Sequence, residues 1–462
     1  MKKILLSVSL LLVALAGFAQ SPIPQQLDSL FNALHAKKKF NGNVLIAEKG
    51  KVIFQKSYGN AQFHPDVKLN DSSIFELASV SKQFTAMSIY LLSKKGKLKL
   101  TDKLSKHVPE LAFYDNITIQ DLIYHTSGLP DYMELMENEW DKQKIATNMD
   151  IVSIFQKTKP ALVFEPGTKF EYSNTGYALL GLIVEKTSGK TYGQYLQDNI
   201  FKPLQMNNTF VHRPRYAPRK ISNYAYGYVS DSLGKYILLD ELGKDYYTYY
   251  LDGIVGDGMV NSTTSDLLKW DRALYANKFI NEEDKKIIFS KGKTKDGKDI
   301  DYGFGWGIGT HEKYGKIVNH SGGWAGYTTL IERQVDNDKT IIMLQNLSTI
   351  FTVLPTMDVR KILYNEPLIN DDLKTVDLSI EALKAYEGSY YNEKMKLTIK
   401  VFVAGEELMA QADGQNAIPL TAYENHTFKF DPANIKLTFN LEESFVTLLQ
   451  GKFNIQFQKV KN

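Results

Sequence analysis

Ser79-Val80-Ser81-Lys82 sets a hydroxyl and an amine three residues apart, at the point where the apolar spacing of the chain becomes helical. Phe84, Met87 and Leu91 then share one face and Gly96, after Lys94-Lys95, marks a stop, so a helix opens close to Ser79. Side chains three apart lie one helical turn from each other, which makes this pair a nucleophile beside a base. A serine hydroxyl is a poor nucleophile until a neighbour takes its proton, a task that a neutral lysine amine can perform. The backbone NH of Ser79, free at a helix start, is available to an oxyanion. The spacing alone is not rare. Ser232 to Lys235 and Ser290 to Lys293 repeat it in Gly- and Lys-containing loops without a helical run, and those two read as structural.

Upstream of the motif, Asn43 to Ala47 and Val52 to Lys56 are apolar-rich runs around Glu48-Lys49-Gly50-Lys51, a hairpin turning at Gly50 and preceded by a short helix near Leu27 to Leu34. Downstream, from Asp102 to about Lys286, helical runs such as Ile117 to Tyr124, Thr175 to Thr187 and Ser265 to Tyr275 alternate with connectors rich in Gly, Pro, Asn and Asp. Strand-like runs return at Ile317 to Asn319, Tyr327 to Arg333 and Thr340 to Leu344. Sheet on both sides of a mainly helical stretch predicts one sheet sewn from the two ends. Asn365-Glu366-Pro367 and Asn370-Asp371-Asp372 then form a polar connector. Beyond it the period is two, through Met395, Leu397, Ile399 and Val401, through Ile435, Leu437, Phe439 and Leu441, and through Phe453, Ile455 and Phe457.

Two further patterns carry chemistry. Tyr172-Ser173-Asn174, after Glu165-Pro166-Gly167 and before a helix, offers a phenol and a carboxamide two residues apart, although Tyr58, Tyr114, Tyr275, Tyr390 and Tyr423 repeat that spacing. His320-Ser321-Gly322-Gly323 puts a polar side chain and a small-residue backbone on a strand, where glycine lets a substrate approach the main chain closely. His125, in Tyr124-His125-Thr126-Ser127, reads as a residue bonding local backbone at a helix-to-turn junction.

Taken in order, Ser-x-x-Lys, Tyr-x-Asn and His-x-Gly resemble the serine β-lactamase and penicillin-binding-protein superfamily, in the branch of class C β-lactamases, D-alanyl-D-alanine peptidases and related esterases. The resemblance extends to Phe75-Glu76-Leu77-Ala78, to Tyr124 through Pro130, and to Phe304-Gly305-Trp306-Gly307, and covers roughly Phe40 to Tyr364. The stretch with Tyr386-Glu387-Gly388-Ser389-Tyr390 resembles the small lipocalin-like domain often appended to such hydrolases. It implies an α+β fold, a β-lactamase/transpeptidase-like antiparallel sheet flanked by helices with a mainly helical insertion, followed by a small antiparallel β-barrel-like domain. The domains would be 20–366 and 375–462, joined by a linker at 367–374.

The resemblance also implies roles. Ser79 would be the acyl-accepting nucleophile, Lys82 and Tyr172 would share its proton, Asn174 would orient the substrate, and the NH groups of Ser79 and Gly323 would form the oxyanion hole. His320, Ser321, Gly322 and Gly323 would line the substrate site. His320 stands where β-lactamases usually carry the lysine of Lys-Thr-Gly, and its titration between pH 5 and 8 would bear on a substrate carboxylate. A neutral imidazole attracts that carboxylate less than an ammonium does, so peptidase or esterase activity is expected above β-lactamase activity. No cofactor is called for, and no His/Asp/Glu spacing suggests a metal. The alternative is a catalytically weak penicillin-binding or cell-wall-sensing protein using the same pocket.

Composition agrees with a folded chain. Hydrophobic residues at 43% and charged residues at 23% exclude a disordered or fibrous protein, and a net charge of +3 gives no basic excess for nucleic acid. Lys2 and Lys3 precede the mostly apolar Ile4 to Ala16, and Gly17-Phe18-Ala19 offers the small residues a signal peptidase requires. The run is too short to span a bilayer, so residues 1–19 read as a leader cleaved near Ala19, with a periplasmic or secreted mature chain free of a transmembrane span. With no cysteine, disulfide and thiolate chemistry are excluded. The implied partner is a small-molecule or peptide substrate, and cell-wall contact is a further expectation.

Overall fold

The computed structural model describes residues 21–231, 234–277, 279–368, 373–430, 433, 435–450 and 453–460. The leader and Ser232 lie outside the described residues. Helix α1 (Ile23–Ala36) leads into β1 (Gly42–Glu48) and β2 (Lys51–Tyr58). Lys49 and Gly50 both adopt positive φ, the conformation of a tight two-residue hairpin turn. Helices α2 (Lys82–Lys94), α3 (Asn174–Ser188) and α4 (Thr264–Tyr275) follow, then β3 (Gly307–His311), β4 (Gly315–Trp324), β5 (Tyr327–Gln334), β6 (Lys339–Gln345) and α5 (Thr356–Leu363).

The strands form one antiparallel sheet in the order β3-β4-β5-β6-β1-β2. Pairing of β1 with β6, Gly42 opposite Gln345 and Glu48 opposite Lys339, joins the strands on either side of the helical stretch as the sequence predicts. Strand β1 is buried on both faces, so its alternation separates two cores. Val44 and Ile46 pack with Leu27 and Phe31 of α1 and Val359 and Ile362 of α5. Leu45 and Ala47 belong to the larger core with Phe84 of α2 and Leu267 and Trp270 of α4. Helix α2 therefore lies inside the molecule, and its first turn is held on every side.

Three two- or three-residue strands, Phe75–Glu76, Val260–Ser262 and Phe210–Val211, form a small second sheet that the periodicity does not reveal. Runs this short contain too few residues to show a period. Their effect is local: they bring the chain just before Ser79 against the segment just after Asp257.

Downstream, β7 (Gly388–Asn392), β8 (Leu397–Ala404), β9 (Glu407–Ala412), β10 (Ile418–Tyr423), β11 (Thr427–Phe430), β12 (Ile435–Asn440), β13 (Phe445–Gln450) and β14 (Phe453–Lys459) close into an antiparallel barrel. Tyr390, Ile399, Val401, Phe428, Leu437, Phe439 and Phe457 form its core, separate from the two cores around the sheet. Glu424 N donates to Lys374 O and Val376 N to Ala422 O, so the chain lies against the barrel from Lys374 onward.

Candidate active site

Ser79 sits on a 3-10 turn, Ala78–Ser81, that runs directly into α2. Both flanks of the turn are tied down: Thr329 Oγ1 of β5 donates to Leu77 O at 2.7 Å, and Val260 N donates to Ser81 Oγ at 3.1 Å. Ala78 has a φ of 48°, a left-handed conformation that costs a residue with a Cβ about 1–3 kcal/mol and persists only where its surroundings enforce it. Gly305, in the Phe304–Gly307 stretch, has positive φ, and a Cβ there would lie 2.6 Å from Lys82 O. The glycine is what allows that loop to rest on the backbone of α2.

Lys82 is fully buried. Its Nζ donates to Ser79 Oγ at 3.1 Å, to Asn174 Oδ1 at 2.9 Å and to the backbone O of Asp257 at 2.9 Å. Three acceptors surround the amine and fix the side chain in one position. Asn174 is the first residue of α3, whose start is capped by Ser173 Oγ accepting from Gly176 N. Asp257 is the residue that the sequence does not mark. It contributes a carbonyl, for which a sequence carries no signal, and its carboxylate accepts from Tyr132 OH at 2.9 Å. Burial, opposed by Lys82, raises the Asp257 carboxyl above its ordinary value.

Tyr172 precedes α3 and places its ring centroid 5.0 Å from Lys82 Nζ, while remaining 43% exposed. Its neighbour is His125, whose ring lies 4.4 Å from it and whose Nδ1 accepts from Ser173 N at 3.0 Å. The bond is to backbone, as the sequence suggests, but to the segment carrying Tyr172 and not to its own turn. Periodicity cannot report a partner 48 residues away. Burial first, then Lys82 and His320, hold His125 well below the ordinary imidazole range, so it is neutral.

His320 lies on β4, buried, with Nδ1 2.6 Å from Ser321 O and Nε2 2.9 Å from Tyr302 OH. Ser321 O can only accept, so Nδ1 carries the proton, and Nε2 of the neutral ring then accepts from Tyr302 OH. Burial, with Lys82 second, lowers His320 to about 4. The expected titration between pH 5 and 8 is therefore displaced: His320 is neutral across that interval.

Strand alternation divides the rest of the motif. His320 and Gly322 face inward, Ser321 and Gly323 outward. A Cβ on Gly322 would fall 2.3 Å from both Leu77 O and Thr329 Oγ1, so this glycine serves close packing against the Ser79 turn. At Gly323 nothing lies within 4 Å of a Cβ, and it lines the cleft. That cleft, of about 440 Å³, is lined by Ser79, Asn174 and Gly323 together with Glu76, Tyr247 and Trp324. Tyr172, His320 and Ser321 are not among its lining residues. Among the described residues no group of His, Asp or Glu is placed to hold a metal, and no helix is long and apolar enough to cross a membrane.

An antiparallel sheet flanked by helices, with a serine one turn from a buried lysine at the start of a central helix, defines the β-lactamase/transpeptidase-like class of serine hydrolases. Residues 27–355 match the Beta-lactamase family model, and the chain belongs to that family. It is 40% identical to Penicillin-binding protein 4* of Bacillus subtilis (strain 168) over 91% of this chain and 94% of that protein. Among solved structures, the octameric penicillin-binding protein homologue from Pyrococcus abyssi covers 94% of this chain and is itself covered to 99%, at TM-score 0.66 and 24% identity. The D-amino acid amidase from Ochrobactrum anthropi SV3 covers 74%, is covered to 99%, and has TM-score 0.61 and 22% identity. At those identities the two structures establish the fold.

Proposed function

We propose that the chain is an exported serine hydrolase that acts through an acyl-enzyme on a peptide, ester or β-lactam-like substrate. The observation that carries this reading is the buried Lys82 amine 3.1 Å from Ser79 Oγ, bridged to Asn174 and Asp257. As Oγ attacks a carbonyl, Lys82 in its neutral form accepts the hydroxyl proton, and Tyr172 beside it passes a proton to the leaving group. The NH groups of Ser79 and Gly323 receive the oxyanion, and Asn174 orients the scissile group. Water then cleaves the acyl ester on the same path in reverse.

The name of the Bacillus subtilis relative favours a β-lactam as one acylating ligand. A buried neutral His320 in the third motif supplies no cation for its carboxylate, which supports slow turnover and keeps the penicillin-binding alternative in view. The test is hydrolysis of a p-nitrophenyl ester, a D-amino acid amide and a cephalosporin by wild type and Ser79→Ala. Turnover of ester or amide that disappears in Ser79→Ala supports the hydrolase. Stoichiometric β-lactam labelling without turnover of any substrate supports the alternative.

A further inference from the structure

A second cavity, of about 400 Å³, opens beside the cleft, and Glu76 lines both. Its ionisable lining holds three cations, Arg215, Arg219 and Lys220, beside the carboxyl groups of Asp240 and Glu76. Arg215 is already matched, with Nη2 2.6 Å from Asp240 Oδ1 and Nη1 3.4 Å from Asp252 Oδ1. Arg219 and Lys220 have no carboxylate partner among the described residues. Arg219 lies over the Phe210 ring at 4.1 Å and donates from Nη2 to Val211 O at 3.3 Å, which leaves most of its donors unused. Its side chain is exposed at the rim of the cavity, as is that of Lys220, and partial desolvation draws the guanidinium below its ordinary value. Behind it His212, 4% exposed, keeps a buried Nδ1 with no hydrogen-bond partner.

Glu76, which lines both cavities, is held mostly protonated at neutral pH. Glu76 is 5% exposed, and no described residue hydrogen-bonds its carboxyl. Burial, then the charge of Asp252, pushes it up to about 8; Arg215 opposes this and Asp257 adds to it. Tyr224, Tyr247 and Tyr327, which its charge also reaches, are all raised above the ordinary phenol range and stay protonated.

We propose that this second cavity is an anion subsite of the cleft, in which Arg219 and Lys220 bind a carboxylate on an arm of the substrate whose carbonyl meets Ser79. Protonated Glu76 lets the arm pass without repulsion. The inference rests on the hydrolase reading and narrows its substrate class to acyl donors with an acidic arm.

The test compares mono-p-nitrophenyl glutarate with p-nitrophenyl valerate, which differ by a carboxylate in place of a methyl group. In Arg219→Gln/Lys220→Gln the glutarate-to-valerate ratio of kcat/KM should fall about tenfold, mainly through KM, because charge-assisted hydrogen bonds are lost. In wild type the ratio should fall as pH rises through about 8, and in Glu76→Gln it should stay flat. An unchanged ratio in the folded double variant overturns the subsite. If neither ester is cleaved at Ser79, the hydrolase reading fails and the subsite is judged by calorimetric titration of Ser79→Ala with glutarate. Binding that weakens in the added double variant then supports the subsite; absent or equal binding overturns it.

Discussion

Lys82 and Tyr172 offer the most direct chemistry for mutation. Replacing either should lower kcat/KM on an ester by about 10²–10⁴, the range for loss of a general acid or base. On the proposed shared proton path, the double variant should lose far less than the product of the single losses. Kinetics of the four proteins on one p-nitrophenyl ester measure this, and independent, multiplying losses contradict a shared path. Two buried groups give stability opposite slopes with pH. His320 titrates at about 4 in the folded chain against 6.5 ordinarily, so the unfolded chain binds more protons below pH 6.5. Its contribution is present above that value and is lost as pH falls toward 4. Glu76 titrates at about 8 against 4.5, so its contribution is present below pH 4.5 and is lost as pH rises toward 8. Glu76→Gln should therefore gain about 2–4 kcal/mol relative to wild type between pH 4.5 and pH 8. Melting at both pH values checks the sign, and an equal difference at both would mean that Glu76 is not a buried acid.

Strand β4 and the Ser79 turn meet through Gly322, and the fit of the two elements depends on its missing side chain. Gly322→Ala should push β4 away from Leu77, destabilise the fold by about 1–3 kcal/mol and slow acylation. Gly323→Ala, facing open space, should leave the folding stability within about 1 kcal/mol of wild type and act on substrate binding instead. Denaturant melts separate the two, and equal costs would contradict the alternation assigned to the strand. The elements with a clear period were legible: β1 and β2, α2 with Ser79 and Lys82 one turn apart, α3, read as Thr175 to Thr187 and found at Asn174–Ser188, and β4 to β6 all follow from apolar spacing. What escaped is what has no period or acts through backbone. The two-residue strand Phe75–Glu76 falls in the first class, and the carbonyl of Asp257 in the second. Tyr302 escaped because its role exists only through His320, and the inward face of Gly322 because a glycine motif does not say which residue packs and which faces the ligand.

The whole chain carries two kinds of core. The barrel is organised around Tyr390, Phe428, Phe439 and Phe457, apart from the cores on either face of the sheet. A Phe439→Ala change should cost about 3–5 kcal/mol within the barrel, yet leave acylation of a small ester at Ser79 unchanged, since every residue lining the cleft lies before the barrel. Parallel measurement of melting and ester turnover checks this, and lost turnover in a chain whose sheet portion stays folded would make the barrel part of the catalytic machinery. The alternating apolar residues after the connector made a β domain readable; its closure into eight strands depends on β7 meeting β14, a pairing between ends that spacing does not encode. A hydrolase of this kind forms a covalent intermediate at one serine. Intact mass spectrometry after incubation with a fluorophosphonate should show a single adduct, mapped by digestion to the peptide holding Ser79, absent in Ser79→Ala and greatly slowed in Lys82→Ala. No adduct on the wild-type protein, or an adduct that persists in Ser79→Ala, would contradict it.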